Sequence, residues 1–321
     1  MGRPTASAIV VVGGANADFL VRGPRLPAPG ETVAGELFRE GPGGKGANQA
    51  VGAARLGAGV AFVGKLGTDA RGDALYAALV REEVEVRHVS RDINHPSGVA
   101  LVMVDRGGEK QIMTAPGANL FLSEADVDAA RESIALAKVV VTGLEVPLPA
   151  VSAALRLGKA AGAKTILDPA PAAPLSEELL RLVDVIRPNA AEAEASTNVK
   201  VNDVASAARS ARVLLARGVG AAIVHAGEEG NLVVTGEEQH LLPHFHVDSV
   251  DATGAGDAFI AGLAVGLAEG RSLLDAASFG MAAAALSTTR VGAQAAMPRR
   301  SDLEPLLARR LPFPATGVTR A

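Results

Sequence analysis

Val250-Asp-Ala-Thr-Gly-Ala-Gly-Asp-Ala-Phe259 brings together a carboxylate and three residues with little or no side chain. An apolar run from about Ala258 reads as a helix, and a strand is expected to end near Val250. Gly254, Ala255 and Gly256 would then present their backbone N–H groups at a helix N-terminus, where unpaired donors and the helix dipole favour an anion. Asp257 falls in the first turn beside that anion site. Two roles fit it: a favourable acidic residue in a first helical turn, or a base taking the proton of a hydroxyl that attacks a held phosphoryl group. The stretch alone leaves both open.

A second group offers partners for hydroxyls. Asn16 and Asp18 follow the aliphatic run Ile9–Val12, and Gly43, Gly44, Lys45 and Asn48 lie where a glycine-rich loop enters a helix running to about Leu56. Each alone fits a turn with a solvated lysine; together they supply the carboxylate, amide and close backbone approach that a polar polyol site needs. Glu145 stands two residues beyond the strand-like Val139 to Gly143. Asn189 and Glu192, three apart at the start of a short helix, can face the same way. They form either an N-cap with a favourable glutamate or a pair holding magnesium through water. His240, His244 and His246 would share one face of a strand, but no carboxylate pattern supports a metal there, so a surface strand is expected. His225 reads as a loop residue open to a nucleotide contact.

Two glycine patterns are rejected. Gly41, Gly43 and Gly46 match G-x-G-x-x-G, but the charged Glu36 to Glu40 is not the buried strand a dinucleotide site requires. Gly59 to Leu66 matches a phosphate loop only as far as Lys65, because Leu66 stands where a hydroxyl must reach magnesium. It reads as a strand over Val60 to Val63 and its turn.

These residues must be positioned by the elements between them. Ile9–Val12 suits a strand buried on both faces. Phe19 to Glu40 and Ser97 to Thr114 read as strand-rich excursions, the latter around the turn Asp105 to Gly108, and they could pair into a small sheet. A lid over about 17–41 and 96–114 is expected. An amphipathic helix spans Thr68 to Val84, and Ser123 with Asp126 resembles a capping box for a helix to about Ala137. Strands follow at Val139 to Thr142, Thr165 to Leu167, Val183 to Ile186, Ala221 to Val224, Leu232 to Val234 and His240 to Val250. Helices are expected at Val151 to Ala161, Ala205 to Arg217, Ala258 to Ala268, Leu273 to Thr288 and Asp302 to Arg309. The alternation predicts an α/β fold with a mainly parallel central sheet flanked by helices and a small β-sheet lid. A single domain is expected, with 312–321 a frayed tail.

Composition narrows the partners. The 321 residues include no Trp and one Tyr and carry a formal net charge of -4, which argues against base stacking and a phosphate-backbone footprint. With no cysteine there is no disulfide, thiolate metal site or thiol nucleophile. The longest uncharged stretch, Ala276 to Thr289, falls short of the roughly 20 residues of a membrane span. No secretion signal is visible at the N-terminus. A soluble, cytoplasmic protein that binds neither nucleic acid nor membrane is expected.

Asn16-x-Asp18, Pro29-Gly-Glu-Thr32, Gly43-Gly-Lys-Gly-Ala-Asn-Gln-Ala50, Asp168-Pro-Ala-Pro-Ala172, Pro188-Asn-x-x-Glu192, Asp251-x-Thr-Gly-Ala-Gly-Asp257 and Thr289-Arg-x-Gly-Ala-Gln294 follow one another in this order. Together they resemble the PfkB family of sugar kinases, and within it the ribokinase group, over about Ile9 to Leu307. The resemblance implies ATP-dependent phosphorylation of D-ribose at O5, with kinases of 2-deoxyribose, nucleosides or other sugars, or a non-catalytic sugar-binding regulator, as alternatives. It implies Asp257 as base and Gly254, Ala255 and Gly256 as anion hole, and a sugar site from Asn16, Asp18, Gly44, Lys45, Asn48 and Glu145. ATP would meet Asn189, the segment Ala226 to Gly230 including Gly227, and the region of Gly254, Gly256 and Asp257. Asn189 and Glu192 would serve magnesium, and Asp251, Thr253, Arg290 and Gly292 a monovalent cation, usually potassium, mostly through carbonyls. The excursions would form a lid that also makes a homodimer contact. The chain departs from the family pattern at Ala252, Ile260 and His225, positions away from the sugar and base residues.

Overall fold

The computed structural model describes residues 7–236 and 238–308. Its strands are β1 (Ile9–Val12), β2 (Asn16–Arg22), β3 (Leu37–Gly43), β4 (Val60–Gly67), β5 (Glu85–Asp92), β6 (Gly98–Val104) and β7 (Lys110–Ala115), followed by β8 (Val139–Gly143), β9 (Lys164–Asp168), β10 (Val185–Ile186), β11 (Ala221–His225), β12 (Asn231–Thr235) and β13 (Glu238–Leu242). Among the described residues they form a nine-stranded sheet, β13-β12-β11-β10-β9-β8-β1-β4-β5, and a separate four-stranded sheet, β3-β2-β6-β7. The large sheet is parallel from β11 to β5, and β12 and β13 are antiparallel additions at one edge. The expected α/β fold with its small second sheet is therefore present.

Both faces of the large sheet are buried, as the unbroken aliphatic run of β1 demands. Ile9 and Val11 pack on one side with Phe62, Phe259 and Leu263, while Val10 and Val12 pack on the other with Val63, Val140 and Leu155. The helices Lys45–Arg55, Ala255–Ala268 and Leu273–Ser287 cover the first side; Leu148–Ala160 and Val204–Ala216 cover the second. β1 pairs in parallel with β4 on one edge and β8 on the other, so chain order reverses there. A crevice opens at the carboxyl ends of such strands. The small sheet is reached directly from β1 through Gly13 to Ala15, and its β2 pairs with β3 antiparallel and with β6 parallel.

Several local expectations differ. β4 continues through Gly64 to Gly67 where a turn is expected after Val63, because β5 lies alongside it to pair with those residues. The strand expected over Val183 to Ile186 narrows to Val185–Ile186. The Ser123/Asp126 capping box forms, but the helix stops at Asp128 and restarts at Arg131, with Ala130 N–H bonded three residues back to Val127 O. The strand expected from His240 to Val250 ends at Leu242, before Pro243, which has no N–H for a ladder. Val250 and Asp251 instead donate their N–H groups to Thr288 O at 2.7 and 3.0 Å. Only His240 of the three histidines lies on the strand, and no group of His, Asp or Glu side chains among the described residues is placed to hold a metal ion. The tail 312–321 and Arg309 lie outside the described residues. No helix among the described residues is long and apolar enough to cross a membrane.

Candidate active site

A cleft of about 790 Å³ lies between the two sheets, at the carboxyl ends of the parallel strands. Its walls come from the loops after β1, β8, β9 and β10, from the N-termini of Lys45–Arg55 and Ala255–Ala268, and from the small sheet.

Glycines bring the first of these helices close. Gly44 is its N-cap with φ 86°, a left-handed conformation that suits glycine. Two residues on, a Cβ on Gly46 would stand 2.8 Å from Gly13 Cα, so the loop after β1 meets the helix backbone to backbone. The Lys45 N–H at the start of the helix donates to Glu145 Oε2 at 2.7 Å, tying the loop after β8 to it. Lys45, Asn48 and Gln49 then project together from neighbouring turns.

Asn48 and Gln49 both reach Asp257. Asn48 Nδ2 donates to Asp257 Oδ2 at 3.0 Å, and Gln49 Nε2 to Asp257 Oδ1 at 3.2 Å and to Asp168 Oδ2 at 2.7 Å. Asp257 is buried, 4% exposed, yet faces the cleft. Asn48 Oδ1 is buried with no protein partner, an acceptor left for a ligand donor. Asn16 Oδ1 accepts from Asn119 Nδ2 at 2.9 Å, and Asn119 also clasps the Ala15 backbone, which fixes Asn16 where the chain leaves β1.

Gly254, with φ 79°, caps Ala255–Ala268 without a side-chain hydrogen bond. The Ala255 N–H is taken by Ala252 O at 3.2 Å, whereas those of Gly254, Gly256 and Asp257 have no acceptor among the described residues. Two of the three expected donors, Gly254 and Gly256, are thus open, and Asp257 takes the place of Ala255. Asp251 lies outside the cleft wall: its Oδ1 accepts from the N–H and hydroxyl of Thr253, and its Oδ2 from Gly292 N at 2.9 Å, which holds the two loops together. Arg290 is 3.8 Å from Asp302 and also outside the cleft.

Asn189 and Glu192 line the cleft as a capping box. Asn189 Oδ1 accepts from Glu192 N at 2.9 Å, and the two Glu192 oxygens accept from Asn189 N and Nδ2 at 2.8 and 2.7 Å. On the far side, Ala226, Gly227 and Gly230 form the turn between β11 and β12 and do not reach the cleft wall, whereas His225, Asn231 and His244 do. His244 meets Gly227 O at 2.9 Å and stands edge-on to His225, whose buried Nδ1 has no partner.

The charges are crowded. Burial, reinforced by Asp257, pushes the Asp18 carboxyl up to about 7. Burial likewise raises Glu145 and Asp168 to about 7, with Lys45 opposing in both. Lys45 is held above the ordinary lysine range, by Asp257 first and against its own burial. Burial, with Arg187 and His244, presses His225 down to about 4, so its ring is neutral. A cleft with hydroxyl acceptors on one side, an anion-binding helix start in the middle and a carboxylate between them suits phosphoryl transfer to a polyol.

Asp168 and Arg187 line the cleft, Gln49 and Asn119 support it from behind, and none of the four had a role assigned from sequence. Gln49 had one usable signal, its place four residues after Lys45 on a helix.

A model described as pfkB family carbohydrate kinase matches residues 6–300. The chain is 39% identical to the ribokinase of Haemophilus influenzae over 92% of its own length and 96% of that protein. It is 34% identical to a deoxyribokinase of Salmonella typhimurium over 90% and 95% of the two chains. The structure of an Arabidopsis thaliana ribokinase complexed with ribose and ATP superimposes with a TM-score of 0.86 at 33% identity, over 94% of this chain and 99% of that one. With a family model spanning nearly the whole sequence and full-length relatives of this similarity, the chain belongs to the pfkB family of carbohydrate kinases.

Proposed function

We propose that the protein is an ATP-dependent kinase of D-ribose that forms D-ribose 5-phosphate. The observation that carries this reading is the position of Asp257: it stands in the first turn of a helix with unspent N–H groups and is held by Asn48 and Gln49 at the edge of the hydroxyl-accepting half of the cleft. The sugar hydroxyl gives its proton to Asp257 as its oxygen bonds to the γ-phosphorus. The bond to the bridging oxygen breaks, and ADP leaves with the electron pair. Asn16, Asp18, Gly44, Lys45, Asn48 and Glu145 hold the sugar, and Gly254, Ala255 and Gly256 form the anion hole, Ala255 through its small side chain more than its engaged N–H. ATP extends toward Asn189 and the turn containing Ala226, Gly227 and Gly230, with His225 and Asn231 nearer the nucleotide than the turn itself.

Magnesium supplies charge to the phosphates when bound, and Asn189 with Glu192 fits it through water: their side chains are engaged with each other, but each carboxylate oxygen retains a second lone pair. A potassium ion fits the loops of Asp251, Thr253, Arg290 and Gly292. The backbone carbonyls of these four residues accept no hydrogen bond among the described residues, and the Asp251 side chain keeps the loops adjacent. The small sheet acts as a lid on a single α/β unit. Asn16, Asp18, Ala100, Val102, Ile112 and Thr114 face the cleft, so strand alternation turns Val21, Phe38, Leu101 and Met113 outward, at 40, 59, 50 and 73% exposure. Val21 pairs with Phe38 and Leu101 with Met113, an apolar face suited to a homodimer contact. The need for ATP and the absence of cysteine accord with a cytoplasmic protein.

Replacing Asp257 with Asn tests the mechanism. Turnover should fall on the order of 10²- to 10⁴-fold while the protein stays folded; near-normal turnover with ribose and MgATP removes Asp257 from the role of base.

A further inference from the structure

Arg187 is a half-buried cation on the cleft wall that the mechanism above leaves without a task. It follows β10, and its N–H donates to Leu167 O at 3.1 Å, which sets it at the carboxyl end of the sheet beside Asp168. Its guanidinium carbon lies 4.9 Å from the centre of the Phe259 ring, a stacking contact that satisfies the face of the plane and none of its edge donors. Nε is buried with no hydrogen-bond partner, and among the described residues the guanidinium makes no ion pair within 4 Å.

The acids near Arg187 do not supply the missing bonds. Asp168, Glu192 and Asp257 act on it through space, but none of their oxygens accepts a hydrogen bond from it; the bonds they do accept come from Asn48, Gln49 and Asn189. On the other side lies the start of Ala255–Ala268. A Cβ built on Gly256 would stand 3.2 Å from Arg187 Nη1, so the guanidinium is in contact with that first turn, next to the open N–H groups of Gly254, Gly256 and Asp257. An unpartnered planar fork of N–H donors beside an anion-binding helix start is suited to a tetrahedral oxyanion.

We infer that Arg187 is a catalytic residue that donates to the non-bridging oxygens of the transferring phosphoryl group, from the strand side of the helix start. It adds fixed positive charge where the transition state spreads negative charge. It makes and breaks no covalent bond: the sugar oxygen still bonds to phosphorus, ADP still leaves with the electron pair, and the proton still goes to Asp257. Gly256 suits this arrangement, because a side chain there would push the guanidinium aside by a few tenths of an ångström. The inference rests on the sugar-kinase reading and assigns that site a further residue.

The test uses the full chain carrying Arg187→Met or Arg187→Lys. It compares steady-state kinetics with ribose and MgATP, calorimetric binding of ADP and of the non-hydrolysable β,γ-imido analogue of ATP, and thermal unfolding. Arg187→Met should lower kcat on the order of 10²- to 10³-fold and weaken the analogue about tenfold, with ADP affinity and thermal midpoint close to wild type. Arg187→Lys, which keeps the charge and loses the fork, should fall between; it carries the same comparison should the methionine variant not fold. A kcat near wild type in Arg187→Met overturns the inference. So do equal losses of ADP and analogue binding with a lowered thermal midpoint in both variants, which would make Arg187 a structural counter-charge to Asp168 and Glu192. Failure of the underlying reading looks different: the unaltered protein would consume no ATP in response to any sugar, and this inference would fall with it.

Discussion

Gln49 Nε2 donates to Asp257 Oδ1 at 3.2 Å across 208 residues of sequence. Asn48 holds the other oxygen, so two adjacent amides on one helix fix the carboxylate on another. Gln49→Leu should therefore lower kcat about tenfold, less than loss of the carboxylate itself, and leave the ribose KM nearly unchanged. Steady-state kinetics decide it: an unchanged kcat would mean that Asn48 and packing suffice to orient Asp257.

Asp168 makes stability depend on pH. Burial raises its carboxyl from 3.8 to about 7, against the opposition of Lys45. Between those values the folded protein holds a proton that the unfolded chain has released, so the group's contribution is full below about 4 and is lost as pH rises through about 7. Asp168→Asn has no such titration. The stability of the variant relative to wild type should rise between about pH 4 and 7 and then level, as measured by urea unfolding across that range. A flat or falling difference contradicts the raised value.

Lys45 is the cation shared by Asp257, Asp168 and Glu145. Lys45→Met removes a charged hydrogen-bond donor from the sugar side and should raise the ribose KM by about 10- to 100-fold. Its loss also removes the charge that opposes the upward shifts of Glu145 and Asp168, so those carboxyls titrate at still higher pH. A ribose KM within a factor of about two of wild type would place Lys45 outside the sugar contacts.

Asp251 joins two loops through Gly292 N at 2.9 Å and Thr253. Without its carboxylate the loops lose their common anchor, and Asp251→Ala should abolish most of the activity gained on replacing a bulky organic cation in the buffer with potassium. The ratio of the two rates measures this directly. A variant that keeps the wild-type ratio would separate Asp251 from cation activation.

Much of this was legible because the determinants are local. The aliphatic run Ile9–Val12, the glycines before Lys45 and the Gly-Ala-Gly before Asp257 each declare a buried strand or a helix start within a few residues. β5 was not visible: Glu-Val-Arg-His-Val-Ser-Arg-Asp mixes charged and apolar residues because it is an edge strand whose side chains are half-buried or, at Arg87 and Arg91, exposed. The strand expected to reach Val250 was overextended because the apolar pattern continues past Pro243, whereas the missing N–H ends the ladder. Asp168 and Gln49 meet across 119 residues, a contact set by the sheet order and by no local pattern. The Asn189/Glu192 pair was read from its spacing, and the structure adds that the two side chains bond to each other.

The most direct measurement is ADP formation with MgATP across a panel of ribose, 2-deoxyribose, fructose and adenosine, with and without potassium. Expected are sugar-dependent turnover, the highest kcat/KM for ribose and a further rise with potassium. A higher kcat/KM for 2-deoxyribose, fructose or adenosine, or ATP consumption indifferent to added sugar, would contradict the proposed function.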